Sequence, residues 1–268
     1  MIKPIYLFYV FIFSTPLVFA QSQQGGRLAA MGNNGAAVKD IWGTSTNPAS
    51  ISELKVPALQ LNYEKHFLAD DLSSAALAFV FPCNRYSFGI NIQRYGIPEF
   101  STIKTGLIVA KQFGQKLSIG LRANYHQIKI SNYGTTKGIS VDIGVFFQLN
   151  EKLFVGAYIN NPSQESYNTR VINIAVLTSA HIGLAYQTSA KVLIATTLSK
   201  ELDLPWNVAM GIDYQLIKSL SIRSGVSVAP FKHHIGIGLS SLHFLTDVTF
   251  IKDPNLGYSP QITIGYVF

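Results

Sequence analysis

Two pairs of oppositely charged residues are spaced so that each pair can meet on one face of a β-sheet. Ile217 lies in a tight turn between two strand-like segments, and counting outward from it places Asp213 opposite Arg223. Arg122 and Asp142 lie on either side of another turn, also on a polar face. Directly opposed residues on paired strands interact. These pairs can neutralise each other and brace the sheet, or they can form a polar constriction on the path of a solute.

The histidines do not indicate a catalytic or metal site. His233 and His234 are adjacent, but neighbouring strand residues point to opposite faces, so they cannot easily share one metal ion. His126 shares a polar face with Arg122 and Asn124, which indicates a polar interior. The sequence contains no Gly-x-Ser-x-Gly elbow, no His-Glu-x-x-His motif and no phosphate-binding loop. We therefore expect no enzyme activity, no cofactor and no metal.

The composition argues against an ordinary soluble domain. Of 268 residues, 48% are hydrophobic and 13% are charged, whereas about a quarter of a typical soluble domain is charged. Beyond the N-terminus, no segment is apolar for the ~18 residues that a membrane helix needs. Only helices and closed barrels satisfy their backbone groups in lipid, which leaves a β-barrel as the spanning option. The basic residues behind the net charge of +7 are scattered, so nucleic acid is not an expected partner.

Apolar and polar residues alternate from about residue 55 onward, which is the signature of β-strands. About fourteen segments show this pattern, with apolar faces of ~10 residues and aromatics near their ends, as in membrane barrels. A soluble β-sandwich also alternates and is the main competing fold. The sequence predicts an all-β fold, a transmembrane antiparallel β-barrel of about 14 strands. The predicted strands are 57–66, 73–81, 85–96, 103–113, 116–130, 136–149, 152–160, 179–187, 190–200, 205–216, 218–228, 232–241, 243–250 and 260–268.

The connections between these segments alternate between short turns and mostly longer loops. Barrels of the outer membrane show this rhythm, with short periplasmic turns and longer outer loops. An even number of strands places both ends of the barrel on the periplasmic side. We therefore expect the longest connection, at 161–178, to be an outer loop.

The first twenty residues predict a secretory signal peptide. Lys3 supplies a positive charge, residues 5–19 are apolar, and Val18-Phe19-Ala20 is a small-x-small-like cleavage site. The predicted organisation is a signal peptide at 1–20, an N-terminal plug segment at 21–54 and the barrel at 55–268. We expect the mature chain in the outer membrane, in contact with outer-membrane lipid.

The predicted plug segment is rich in Gly and Ala and has no strand alternation. Small residues suit a segment packed inside a narrow lumen, and a mobile periplasmic tail is the alternative. Its pattern is Gly-x-Arg-x-x-Ala-Met-Gly, then Ala-x-x-x-Asp, then Asn-Pro-Ala. The residues that carry it are Arg27, Ala30, Met31, Gly32, Ala36, Asp40, Asn47, Pro48 and Ala49.

This pattern resembles the start of the PorV/PorQ group of FadL-like outer-membrane barrels. Residues 253–261 resemble that group's last loop, and residues 93–100 look similar to a PorQ hairpin. The resemblance covers both ends of the chain and one internal hairpin. Tyr266 and Phe268 on the last strand resemble the C-terminal signal that the barrel insertion machinery reads, so this machinery is an expected partner.

The resemblance implies two classes of function. PorV and PorQ relatives serve the type IX secretion system, so the first hypothesis is an accessory barrel with secretion components or cargo as partners. FadL relatives pass hydrophobic molecules across the outer membrane, so the second is a passive conduit for small hydrophobic molecules. A soluble periplasmic β-protein is the third. The outer loops are short apart from 161–178, which leaves little to grip a large cargo protein.

Overall fold

A computed structural model describes residues 25–168, 173–202 and 204–268, so the predicted signal peptide lies outside the described residues. Within them, fourteen strands form one closed antiparallel barrel. The first and last strands close it, from Ala58 opposite Val267 to Glu64 opposite Gln261. The predicted fold and strand number are confirmed. The barrel strands are β1 (Ala58–Lys65), β2 (Ser73–Cys83), β3 (Tyr86–Gly96), β4 (Phe100–Phe113), β5 (Leu117–Ile130), β6 (Gly134–Gln148), β7 (Leu153–Asn160), β10 (Ser179–Ser189), β11 (Val192–Glu201), β12 (Asn207–Ile217), β13 (Leu220–Val228), β14 (Phe231–Ser241), β15 (Phe244–Asp253) and β16 (Gly257–Val267).

The two ends of the barrel are built differently. At the end that we call the short-turn end, two to four residues connect the strands, at 84–85, 114–116, 149–152, 190–191, 218–219 and 242–243. The other end, the long-loop end, carries the connections at 66–72, 97–99, 131–133, 161–178, 202–206, 229–230 and 254–256. The plug segment enters β1 from the short-turn end, because Ala58 pairs with both Val80 and Val267.

The long connection at 161–178 contains structure that the sequence pattern does not predict. Two short strands, β8 (Ser166–Asn168) and β9 (Asn173–Ala175), pair as a separate antiparallel sheet. Asn161 organises the base of this hairpin, because its side-chain amide donates to Glu165 O and Val176 O and its Oδ1 accepts from Glu165 N. The connection between β7 and β10 is thus the longest of the barrel, as the sequence predicts, and it contains a hairpin whose base is held by one side chain.

The last loop is also shorter than predicted. The sequence pattern places a loop at 251–259, but only residues 254–256 connect β15 to β16. Asp253 Oδ1 accepts from Asn255 N at 2.9 Å and from Leu256 N at 3.2 Å, which closes a tight turn. Because the turn is tight, the ladder continues out to Asp253 opposite Gly257.

The outer surface of the barrel is apolar around its circumference. Along each strand, successive side chains point alternately out of and into the barrel. The outward side chains are mostly apolar, and the inward ones are mostly polar or small. We call these outward side chains the apolar belt; it includes Leu61, Leu107, Leu121, Val141, Ile143, Ile212, Ile237 and Ile264, each at least 40% exposed. A monomeric soluble protein rarely exposes contiguous apolar surface of this extent. The belt therefore has the character of a lipid-facing surface.

The packed core of the molecule lies inside the barrel and is formed largely by the N-terminal segment. This segment, residues 25–54, contains the helix α1 (Gly26–Ala30) and two 3₁₀ helices, Ile41–Thr44 and Pro48–Glu53. Leu28, Met31, Trp42 and Ile51 are fully buried against the lumen wall. We call residues 25–54 the plug. Within 25–168, 173–202 and 204–268, no helix is long and apolar enough to cross a membrane.

A charge placed on the apolar belt tests whether it faces lipid. Leu121→Lys puts an ammonium near the middle of β5, where the side chain is 45% exposed and points outward. We expect a loss of about 2–4 kcal/mol in folding free energy in lipid vesicles, because lysine is costly at mid-bilayer depth. Reversible denaturant unfolding, followed by heat-modifiable gel mobility, measures it. The matched control is Tyr133→Lys in a long-loop turn, 78% exposed, for which we expect less than about 1 kcal/mol. Equal losses would contradict a lipid-facing belt.

Candidate functional site: the plugged lumen

A network of charged side chains joins the plug to one side of the wall. Arg27 of α1 donates through Nε to Asp213 at 2.9 Å and through Nη1 to Asp40 at 3.0 Å. Arg223 donates through Nε to Asp213 at 3.0 Å and also binds Asp247. Asp213 and Arg223 lie directly opposite each other on β12 and β13, where the turn spacing predicts them. Asp247 and the link to Arg27 were not predicted from the sequence. The alternation of side chains along β15 would have placed Asp247 inside the lumen.

The second charge pair contacts the plug on the other side of the lumen. Arg122 donates to Asp142 through Nε at 2.7 Å, and both side chains are 1% exposed. Arg122 also donates to Thr44 O of the plug at 2.7 Å, while Asp142 accepts from Asn124 at 2.7 Å. A buried charge is tolerated when it is paired and its remaining donors and acceptors are satisfied. Each predicted pair therefore joins two neighbouring strands and also lies in hydrogen-bond contact with the plug.

The residues that carry the PorV/PorQ resemblance hold the plug in place. Asp40 and Asn47 each cap the 3₁₀ helix that follows, because their side chains accept from Trp42 N and Ala49 N. Asn47 Nδ2 also donates to Ala36 O at 2.7 Å and to Val145 O of the wall at 2.9 Å. The other motif residues, Met31, Gly32, Pro48 and Ala49, pack against the wall near Gly120, Gly144, Gly211 and Gly225.

Glycines of the wall allow the plug backbone to approach closely. A Cβ added at Gly156 would overlap Ala36 O, and one added at Gly211 would overlap Met31 O. Side chains at these inward positions would push the plug away from the strands. The plug backbone therefore packs directly against glycines on the polar faces of the strands, which explains why those faces contain few bulky residues.

A cavity of about 410 Å³ lies between the plug and the wall towards the short-turn end. Arg27, Asp213, Arg223 and Asp247 line one part of it, with Lys191 and Ser221 near its mouth. Its apolar part is formed by Ile41, Leu54, Leu193 and Val267. The volume is within the range of small-molecule pockets, and the lining combines apolar side chains with a few polar groups.

Glu64, His66 and Ser74 form a hydrogen-bonded chain that sequence reasoning missed. His66 Nδ1 lies 3.1 Å from Glu64 Oε1, and His66 Nε2 binds Ser74 Oγ. The order of groups matches the acid–base–nucleophile arrangement of serine hydrolases. However, His66 is 6% exposed and Ser74 is 1% exposed, so no substrate carbonyl can reach the hydroxyl in this conformation. The chain therefore acts as a buried polar contact that secures the β1–β2 connection.

The remaining predicted residues occupy the expected faces. His126 points inward and binds Ser140 Oγ at 2.8 Å, while His233 is exposed and His234 is buried. In the part of the chain that the structure describes, no three His, Cys, Asp or Glu side chains are grouped to hold a metal ion. Tyr266 packs edge to face against Phe244 and Phe268 at the short-turn end.

The fold is shared with several solved structures, among them a toluene transporter and a monoaromatic hydrocarbon channel. The Ralstonia pickettii toluene transporter TbuX matches with a TM-score of 0.72 at 14% identity, over 94% of this chain and 100% of that chain. The CymD monoaromatic hydrocarbon channel matches with a TM-score of 0.69 at 16% identity, over 91% and 97%. A Pseudomonas aeruginosa FadL homologue gives 0.68 at 10% identity, over 91% and 98%. These structures have the fold of this chain. No protein-family model and no curated protein sequence matches the chain.

The Arg122–Asp142 pair can be tested by removing one partner and then both. Arg122→Met leaves Asp142 buried without its cation, and we expect a loss of about 3–5 kcal/mol in unfolding free energy. Arg122→Met combined with Asp142→Leu leaves no unpaired charge, so it should be less destabilising than the single change. Denaturant unfolding in vesicles measures both. The control is Lys65→Met in the exposed Lys65–Asp70 pair, for which we expect at most about 1 kcal/mol. A double variant as unstable as the single one would contradict this assignment.

The seating of the plug on Gly211 can be tested with trypsin. Gly211→Val should displace the plug backbone at Met31 while the strand still forms, because valine is compatible with β-structure. We expect cleavage after Arg27 and Lys39, which the intact plug protects, with the barrel itself remaining resistant. The control is Met210→Val, whose side chain points outward and is 53% exposed. Equal protection of the plug in both variants would show that the wall glycine is not required.

Proposed function

We propose that this chain is an outer-membrane barrel that passes small hydrophobic molecules, with the plug controlling passage between its two ends. The observation that carries the proposal is the extent of the fold match. Residues 58–268 make up less than four-fifths of the chain, so a match over 94% of it must extend into the plug. The likeness to the toluene transporter and the hydrocarbon channel therefore includes the barrel together with its internal segment.

The apolar belt and the polar lumen support the membrane location. A closed barrel leaves no unpaired strand edge, which is the condition for a β-sheet to span lipid. The predicted signal peptide would bring the chain across the inner membrane. We therefore place the barrel in the outer membrane, with the short-turn end in the periplasm as the predicted topology requires.

The charge distribution allows the plug to shift without leaving charges unpaired. The plug carries Arg27, Lys39, Asp40 and Glu53, so its formal charge is zero. These residues pair with each other, Arg27 with Asp40 at 3.0 Å and Lys39 with Glu53 at 2.8 Å. The wall arginines likewise keep wall carboxylates, Asp142 for one and Asp213 and Asp247 for the other. Plug movement would break the Arg27–Asp213 contact and would orphan neither partner.

The cavity at the short-turn end is the proposed exit for the solute. It has apolar lining on one side and reaches the plug, so a small apolar molecule released by a plug shift could occupy it.

An accessory role in type IX secretion is the second candidate, supported by the PorV/PorQ resemblance of the plug. The contacts of those motif residues with the wall account for them without a protein partner, which favours the conduit.

Blocking the cavity tests the conduit. Ser221 lines the cavity, and Ser221→Trp would fill much of it. We expect uptake of labelled toluene by cells expressing the variant to fall at least about tenfold, towards the level without the protein, because the solute loses its exit. The control is Ser219→Trp, in the exposed β12–β13 turn outside the cavity lining, with uptake unchanged.

Three outcomes separate the candidates. Equal uptake by cells with and without the wild-type protein would contradict the conduit. Co-purification of secretion components or surface cargo with the tagged barrel from detergent-solubilised outer membrane, without any toluene uptake, would favour the type IX role. Recovery of the chain in the periplasm without detergent would contradict the membrane location itself.

A further inference from the structure

The two ends of the barrel differ in charge. Outside the lumen, the described residues of the short-turn end include seven basic side chains and one acidic one, Glu151. We call the seven the basic rim: Lys55, Arg85, Lys111, Lys116, Lys152, Lys191 and Lys218. The described residues of the long-loop end have nearly balanced charges. They are basic at Lys65, Arg94, Lys129, Lys137, Lys200, Lys232 and Lys252, and acidic at Asp70, Asp71, Glu99, Glu165, Glu201 and Asp253.

The basic rim lies at the edge of the apolar belt. Six of its side chains are exposed, and five of these six lie in turns that are only two to four residues long. Lys111 points outward from β4, with its Nζ 4.9 Å from the ring centroid of Tyr86 and 5.2 Å from that of Phe113. Both rings are also outward-facing and more than 40% exposed. Aromatic rings and lysine ammonium groups at such an edge occupy the depth of the lipid head groups.

The basic rim surrounds the barrel rather than marking one side of it. Its members come from the segment before β1 and from five different turns or their flanking residues, spread around the circumference. A protein partner would typically bury one contiguous patch of about 800 Å² with an apolar centre. A ring of dispersed cations, flush with an apolar belt, instead matches a surface that encircles the barrel. The surface of this kind available to a membrane barrel is the leaflet around it.

We propose that the basic rim binds the phosphate groups of anionic phospholipids in the leaflet at the short-turn end. This inference rests on the proposed membrane location and does not depend on what the lumen carries. Each lysine close to an anionic membrane surface strengthens the binding constant for that surface about fivefold. The rim would therefore hold the mouth of the cavity at the head-group level and concentrate anionic lipid around it, whereas the balanced long-loop end would show no such preference.

The experiment compares lipids that remain bound to the purified barrel. The detergent-solubilised protein is equilibrated with equal amounts of phosphatidylglycerol and phosphatidylcholine of the same acyl chains, and retained lipids are counted by native mass spectrometry. The rim variant combines Lys111→Gln, Lys116→Gln, Lys191→Gln and Lys218→Gln. The matched control makes the same change of charge at the other end with Lys65→Gln, Lys129→Gln, Lys137→Gln and Lys252→Gln, where Lys252 also lies over a tyrosine ring.

We expect wild type and control to retain phosphatidylglycerol over phosphatidylcholine by about tenfold or more, and the rim variant to approach equal retention. The wild-type preference should fall as NaCl rises from 0.05 to 0.5 M, because the exposed charges are screened. This salt test needs no variant, so it stands even if the rim variant misfolds. Equal retention by wild type, equal loss in both variants, or abolition of the preference by millimolar inorganic phosphate would overturn the proposal. None of these results would affect the conduit, which the uptake assay tests separately.

Discussion

The requirement that every backbone N–H and C=O in lipid find a partner within the protein determines the rest of this structure. Closure of β1 onto β16 meets it, and closure forces strict alternation, because each strand then has lipid on one side and the lumen on the other. The lumen-facing positions consequently hold polar side chains, glycines and the arginine–carboxylate pairs. The polar side chains that face the lumen also need hydrogen-bond partners. The plug supplies that partner, with carbonyls such as Thr44 O for Arg122 and a guanidinium, Arg27, for Asp213.

The same constraint explains the composition of the plug. A segment inside a closed barrel meets the backbone of inward-facing strands on several sides, so bulk on both surfaces would clash. The contact is achieved by glycine in the wall and small residues in the plug, as at Gly156 against Ala36. The larger plug residues are placed where a partner exists: Trp42 donates to Gln60 at 2.6 Å, and Lys39 lies 4.4 Å from the ring centroid of Phe154. The contacts of the motif residues with the wall are therefore sufficient to explain their types and spacing.

Alternation predicted the barrel well because every strand has the same two environments along its whole length. Asp213 and Arg223 could be paired from sequence because the turn between them is short enough to count across. The contacts of the plug could not be predicted in this way. Arg27 and Asp213 are separated by 186 positions, and no local pattern encodes which part of the wall the plug meets. The Glu64–His66–Ser74 chain was missed for a related reason, since His66 follows the strand in a 3₁₀ turn and its side-chain direction is not set by strand parity.

The way in which charges are paired bears on whether the plug can move. A plug held by ion pairs that all cross to the wall would leave buried charges behind on both sides when it shifted, at a cost of several kcal/mol for each. Among the described residues, plug and wall each retain their own ion pairs, and Arg27–Asp213 is the one ion pair that crosses between them. Most other ties between plug and wall are hydrogen bonds of neutral groups and backbone contacts at glycines, which water can replace as the plug leaves. The plug is thus bound as a neutral unit, and Arg122 and Arg223 of the wall keep their carboxylate partners when it shifts, an arrangement that suits a reversible gate.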